Sequence, residues 1–247
     1  MRKVTFTEGE IYHIYNRGVE KRSVFLDDQD HFRFVHNLFE FNNEEPARNL
    51  FYKKPSFQNL DLNQPIYETK SRKLRRKLIV EILMFVLMPN HFHLLLKQRK
   101  ENGITEFMHK LGVGYTMYFN QKYQRTGSLF QGTFKAVLVK REAHFIHLPY
   151  YLHLNPLALK FPGWRQGKVA DRKEAMKFLE QYRWSSYPDY IGIKNFPSVT
   201  SRDFLLNYFG KPEKHKKDIF EWLQEAHEES VREHSLEYSP KSQIYET

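Results

Sequence analysis

His91 and His93 are separated by a single bulky apolar residue, Phe92, inside the run Phe85–Leu96, whose composition is otherwise that of a buried strand. Side chains alternate across a strand, so the two imidazoles fall on one face and Phe92 on the other. Two imidazoles side by side make half of a metal site. Taken alone, so short a motif is more often a pair of polar residues on the open face of a half-buried strand.

A second group lies downstream, in Tyr150-Tyr151-Leu152-His153-Leu154-Asn155-Pro156. On a helix, Tyr151 and Asn155 stand four residues apart and share a face. Tyr150 is rotated about 100° from Tyr151 and His153 about 200°, which assigns Tyr150 to packing and His153 to the opposite face. A phenol and an amide oxygen brought against the strand histidines would give two nitrogen donors, one oxygen donor and a hydroxyl nucleophile. Mixed nitrogen and oxygen ligation with open positions suits Mg²⁺ or Mn²⁺ acting on a phosphate, although imidazole also suits zinc. A tyrosine hydroxyl, with its pKa of about 10, is a poor nucleophile until deprotonated, and breaking a phosphodiester also requires stabilising the departing 3′ oxygen. A cation held by the histidines would polarise the phosphoryl oxygen and offset that charge. The product would be a 5′-phosphotyrosine and a free 3′ hydroxyl, with the bond energy kept so that the step can be reversed onto another strand.

The elements that must position these groups follow from periodicity. Residues 11–16 alternate and are rich in β-formers, and Arg17-Gly18 ends them, which predicts a first strand. Asp27 or Asp28 can cap a helix with Phe32, Val35 and Phe39 at helical spacing. Residues 42–77 form a long polar connection with three prolines, closing in the basic run 70–77; its length marks it as an insertion or flap. Residues 78–88 and 91–97 predict two strands joined at Pro89-Asn90. A helix follows from Gly103 to about residue 123, then a strand over 134–139, then a second amphipathic helix over 142–154 stopped near Pro156. The order β, α, β, β, α, β, α is that of a split βαβ, ferredoxin-like antiparallel sheet of the α+β class, with helices on one face. Beyond it lies a helical, charged C-terminal extension. The expected division is residues 1–170 for the main domain and 171–247 for the extension, with a tail that frays after about residue 226.

Composition narrows the function. The chain of 247 residues carries 39 basic against 29 acidic side chains, a net charge of +10 that favours a polyanionic partner, nucleic acid ahead of membrane. The absence of cysteine excludes disulfides, thiolate metal sites and cysteine nucleophiles. No signal peptide is visible and no apolar run is long enough to span a bilayer, so the expected location is cytoplasmic. Arg17, Lys97, Arg125 and Lys135, near element ends on the expected active face, are candidates to hold a DNA backbone. Tyr12, Tyr15, Phe130 and Phe134 are candidates to stack on unpaired bases. The other histidines, His13 among them, have no partner at metal spacing and are assigned to surface or packing roles.

The ordered set of motifs resembles the HUH single-tyrosine transposases, in particular the insertion-sequence and REP-associated tyrosine transposases. The carriers are Met88-Pro89-Asn90-His91-Phe92-His93-Leu94-Leu95, the helix Tyr151–Pro156, the segment Tyr123–Lys135 between them, and Tyr182-Arg183-Trp184-Ser185-Ser186-Tyr187 after them. The similarity spans about residues 9–192, and the ordered set is more specific than any one motif. It implies that Tyr151 is the nucleophile, that His91 and His93 are metal ligands, and that Asn155 is the third protein ligand. It also implies Mg²⁺ or Mn²⁺ as cofactor, and cutting and rejoining of single-stranded DNA near hairpins, with a homodimer as a possible state. Two features depart from the family pattern: Thr133 stands where the family has arginine, and the 42–77 insertion has no counterpart in its shortest members. A domesticated DNA-binding relative without transposition is the alternative, which the intact His91, His93, Tyr151 and Asn155 disfavour.

Overall fold

The computed structural model describes residues 4–45, 76–140 and 142–225. Most of the 42–77 connection, including residues 70–75 of the basic run, and the tail from residue 226 lie outside the described residues.

The four strands are β1 (Ile11–Arg17), β2 (Val80–Met88), β3 (His91–Gln98) and β4 (Lys135–Leu138). Every pairing is antiparallel and the order across the sheet is β2-β3-β1-β4. With α1 (Asp28–Glu40) between β1 and β2 and α2 (Gly103–Lys122) between β3 and β4, this is the expected ferredoxin-like sheet. The register fixes which residues share a face. Arg17, His91 and Met88 form one row; Lys135, Tyr15, His93 and Val86 form the next; Val137, His13, Leu95 and Met84 form the third.

Alternation sends Tyr12, Ile14, Phe92, Leu94 and Leu96 to the opposite face, where they form one core with α1 and α2. Asp27 caps α1, its side chain accepting from the Asp30 backbone amide at 3.0 Å. The buried stripe of α1 is Phe34, Val35 and Leu38, not the expected Phe32, Val35 and Phe39. Phe32 and Phe39 are only partly buried: Trp184 meets the edge of Phe32 at 5.0 Å, and the Arg76 guanidinium covers Phe39 at 3.7 Å.

Residues after β4 build a second core on the histidine face. They comprise α3 (Glu142–Leu154), α4 (Arg172–Gln181), α5 (Tyr187–Tyr190), α6 (Asp203–Phe209) and α7 (Pro212–Glu225). Leu152, Leu157, Trp164, Leu179, Tyr187, Leu205 and Ile219 share one buried cluster with Met84, Val86 and Leu95 of the sheet. The extension also covers the free edge of β2, which would otherwise present unpaired backbone groups. The Leu87 amide donates to the Trp184 carbonyl and the Ser186 amide to the Phe85 carbonyl, at 2.8 and 2.9 Å. Tyr182 and Tyr190 donate their hydroxyls to the carbonyls of Leu87 and Leu83.

This enclosure changes the character of α3. It was expected to be amphipathic, but Leu148, Tyr150, Leu152, His153 and Leu154 are all buried, because the sheet takes one side and the extension takes another. Among the described residues no helix is long and apolar enough to cross a membrane.

Where α1 ends and β2 begins, the buried Asn42 side chain closes the gap. Its oxygen accepts from the Ile79 and Val80 amides at 3.1 and 3.0 Å, and its amide donates to the Val80 carbonyl at 3.0 Å. Asn42→Ala strands these three backbone groups. Urea unfolding of this variant is expected to show a loss of about 2–4 kcal/mol, whereas a loss within experimental error would show that the staple contributes nothing.

Candidate active site

The turn that opens β3 is held by the segment that follows β1, at the same end of the sheet. Gly18 donates its amide to the Asn90 carbonyl at 2.8 Å, and Val24 donates to the Pro89 carbonyl at 2.8 Å. A side chain at position 18 would place its Cβ 2.2 Å from the Arg22 carbonyl oxygen, so the close approach requires glycine. The Asn90 amide nitrogen donates to the Lys21 carbonyl at 3.2 Å, which turns its oxygen toward His91 Nδ1 at 2.6 Å. That oxygen only accepts, so Nδ1 of His91 carries the hydrogen and Nε2 keeps its lone pair. The Nε2 atom is buried and has no hydrogen-bond partner among the described residues.

His93 is fully buried, and its ring lies 5.0 Å from that of His91 at 90°. Its Nδ1 is 2.8 Å from Nε2 of His13, another fully buried histidine on the same face of β1. The sequence assigned His13 to a surface or packing role; the sheet instead places it in direct contact with His93. Spacing along the chain gave no sign of this, since the two residues lie in different strands and meet only through the register.

Asn155 follows α3 directly and is buried. Its amide nitrogen donates to the Tyr151 carbonyl at 3.0 Å, and its oxygen accepts from the Arg165 guanidinium at 3.2 Å. One lone pair of that oxygen remains for a further partner. The same guanidinium lies 5.8 Å from the centre of the half-buried Tyr151 ring, and Trp164 flanks that ring at 6.0 Å. Arg165 is also near enough to His91 and His93 to disfavour their protonated forms. Arg165 therefore joins the helix residues to the strand histidines, and sequence reasoning missed it. The only signal was a basic residue after the Pro162-Gly163 break.

The other two polar residues of the α3 motif are committed elsewhere. Tyr150 donates to Asp218 of α7 at 2.9 Å, and burial together with that carboxylate pushes its hydroxyl pKa up. His153 bridges His215 of α7 at 3.1 Å and Ser186 at 3.0 Å.

The candidate DNA contacts divide. Arg17 faces His91 across the strands and donates to Gln131 at 3.3 Å, and Lys135 is exposed on edge strand β4 in the row of His93. Lys97 is not brought to the histidines. It sits four residues along β3, roughly 13 Å away from His93, with its ammonium 4.7 Å from the Phe204 ring. Arg125 packs on Phe119 at the end of α2, in the core of the other face. The stacking aromatics also need correction. Tyr12, Tyr15 and Phe130 are buried by the sheet and by the loop before β4, and so offer no open ring face to a base. Phe134 is partly buried against the helix-side core.

Among the described residues no three His, Asp or Glu side chains cluster as a metal cage. The donors on hand are an imidazole nitrogen with a free lone pair on His91, the imidazole of His93 and the Asn155 oxygen. That set fits a cation whose remaining positions belong to phosphate oxygens and water.

Comparison with known proteins finds a similarity over this site. Residues 51–155 match the family described as Transposase IS200 like, a segment that contains both histidines, Tyr151 and Asn155. That match agrees with the resemblance carried by the motifs over this segment. A solved structure of a REP-associated tyrosine transposase bound to a REP hairpin aligns with 82% of this chain and 92% of its own, at 12% identity and a TM-score of 0.49. No curated protein matches the sequence.

Burial makes this face sensitive to acid. Desolvation lowers the pKa of His13 and His91 to about 3 and that of His215 to about 4, and pushes those of His93 and His153 well down. The folded chain keeps these imidazoles neutral at pH values where the unfolded chain protonates them. Their contribution is therefore present above about pH 6.5 and is lost as the pH falls toward the folded values, by up to about 1.4 kcal/mol per pH unit for each. Urea unfolding at about pH 7 and about pH 5 should show a drop in stability equivalent to more than one proton taken up on unfolding. Equal stability at both values would contradict the neutral buried cluster.

Proposed function

We propose that the protein is a metal-dependent single-stranded DNA transposase that cuts and rejoins DNA through a covalent 5′-phosphotyrosine on Tyr151. The observation that carries this reading is the convergence, within one chain, of Asn155, Tyr151 and the His91/His93 pair on Arg165. The IS200-like match over the segment that holds the first four of these residues supports it. Action at hairpin or palindromic repeats follows from the family resemblance.

In this reading His91, His93 and Asn155 hold a Mg²⁺ or Mn²⁺ ion, which when bound polarises the scissile phosphate and offsets charge on the departing oxygen. Arg165 and Arg17 are both near enough to act on His91, and they hold the phosphate's negative charge. Trp164 and Arg165 flank the Tyr151 ring and limit its movement for attack on the phosphorus. The Tyr151 hydroxyl gives its proton to solvent, its oxygen bonds to phosphorus, and the bond to the 3′ oxygen breaks, that oxygen taking a proton from solvent to leave a 3′ hydroxyl. Rejoining is the reverse attack by a 3′ hydroxyl, which releases Tyr151. Tyr150 is given no part in this reading, since its hydroxyl is bonded to Asp218 of α7.

Labelled single-stranded DNA carrying a hairpin, incubated with Mn²⁺, is expected to yield a protein–DNA adduct that survives denaturation. Tyr151→Phe or EDTA should abolish it, Tyr150→Phe should retain it, and Arg165→Ala should reduce its rate by about 10²-fold or more. Adduct formed equally by Tyr151→Phe would assign the nucleophile elsewhere. Binding without adduct on varied hairpins would leave a DNA-binding relative without transposition.

A further inference from the structure

We infer that His13 is a positioning residue that sets which nitrogen of His93 faces the site. The inference rests on the reading of His91 and His93 as ligands. Register explains the meeting: Tyr15 lies directly opposite His93, and His13 is two residues along on the same face. Both imidazoles are fully buried, and Nε2 of His13 stands 2.8 Å from Nδ1 of His93. At that separation one nitrogen must donate and the other accept, since two bare nitrogens or two N–H groups would repel.

The two possible arrangements have opposite consequences. If His93 donates from Nδ1, its Nε2 retains the lone pair that ligation needs. If His13 donates, the neutral His93 carries its hydrogen on Nε2 and that atom is blocked. His13 as acceptor is therefore the arrangement that makes His93 a ligand, and it does for His93 what the Asn90 oxygen does for His91. The chemistry of position 13 also suits the surroundings. A neutral imidazole can accept there, whereas a carboxylate would bring an uncompensated charge into a fully buried position.

The test uses the full chain, free of metal and then with Mn²⁺ alone. Imidazole ¹⁵N resonances of the metal-free protein should show His93 with its hydrogen on Nδ1. In His13→Leu that preference should be lost, and Mn²⁺ affinity measured by calorimetry should fall about 10–100-fold. His13→Gln, whose amide oxygen can accept, should recover most of the affinity. A hydrogen on Nε2 of His93 in the wild type would overturn the inference, as would an unchanged His93 tautomer and Mn²⁺ affinity in a folded His13→Leu. If His13→Leu fails to fold, the wild-type tautomer and the glutamine variant still decide. Should the wild type bind no Mn²⁺, the ligand reading fails, while the tautomer measurement continues to report on His13 separately.

Discussion

The three strands β1–β3 are largely buried on both faces, and this constraint shapes everything around the candidate site. A polar group on the second face cannot rely on bulk water, so it must find a partner inside the protein. His91 turns to Asn90, His93 to His13, His153 to His215 and Ser186, and Asn155 to Arg165 and the Tyr151 backbone. Each of these bonds fixes an orientation as well as satisfying an atom. Burial thus holds the donor atoms in place before any substrate arrives, as a reaction dependent on alignment requires.

The C-terminal extension is part of that machinery in a physical sense. It covers the β2 edge through the backbone of Trp184 and Ser186, and α7 grips the tyrosine helix through Tyr150–Asp218 and His153–His215. Pro149 removes a backbone donor from the middle of α3. The helix therefore relies on these side-chain anchors for its position more than an uninterrupted helix would. The result is one tyrosine tied to α7 and its neighbour set beside Arg165 and Trp164.

Much of this was legible in the sequence, and the divide follows the range of the interactions. Strand alternation placed His91 and His93 on one face and Phe92 on the other, and Pro89-Asn90 marked the turn between strands; both depend on local rules. The i, i+4 spacing likewise related Tyr151 to Asn155. His13 and Arg165 escaped because their partners are set by register and by packing between distant segments. Lys97 and Arg125 are not brought to the histidines for the same reason: the fold sets one four residues along β3 beside Phe204 and the other against Phe119 of α2. The buried rings of Tyr12, Tyr15 and Phe130 show how a sheet covered on both faces withdraws aromatics that an open sheet would present. The amphipathic expectation for α3 failed because the extension buries its second side.

The central claim is that the histidine pair and the tyrosine of one chain form one site. Mixing His91→Ala chains with Tyr151→Phe chains tests it most directly, with the covalent adduct on hairpin DNA as the readout. A site built within one chain predicts no adduct in the mixture beyond that of either variant alone. Recovery of adduct on mixing would show that the tyrosine of one chain serves the histidines of another, and would contradict the account.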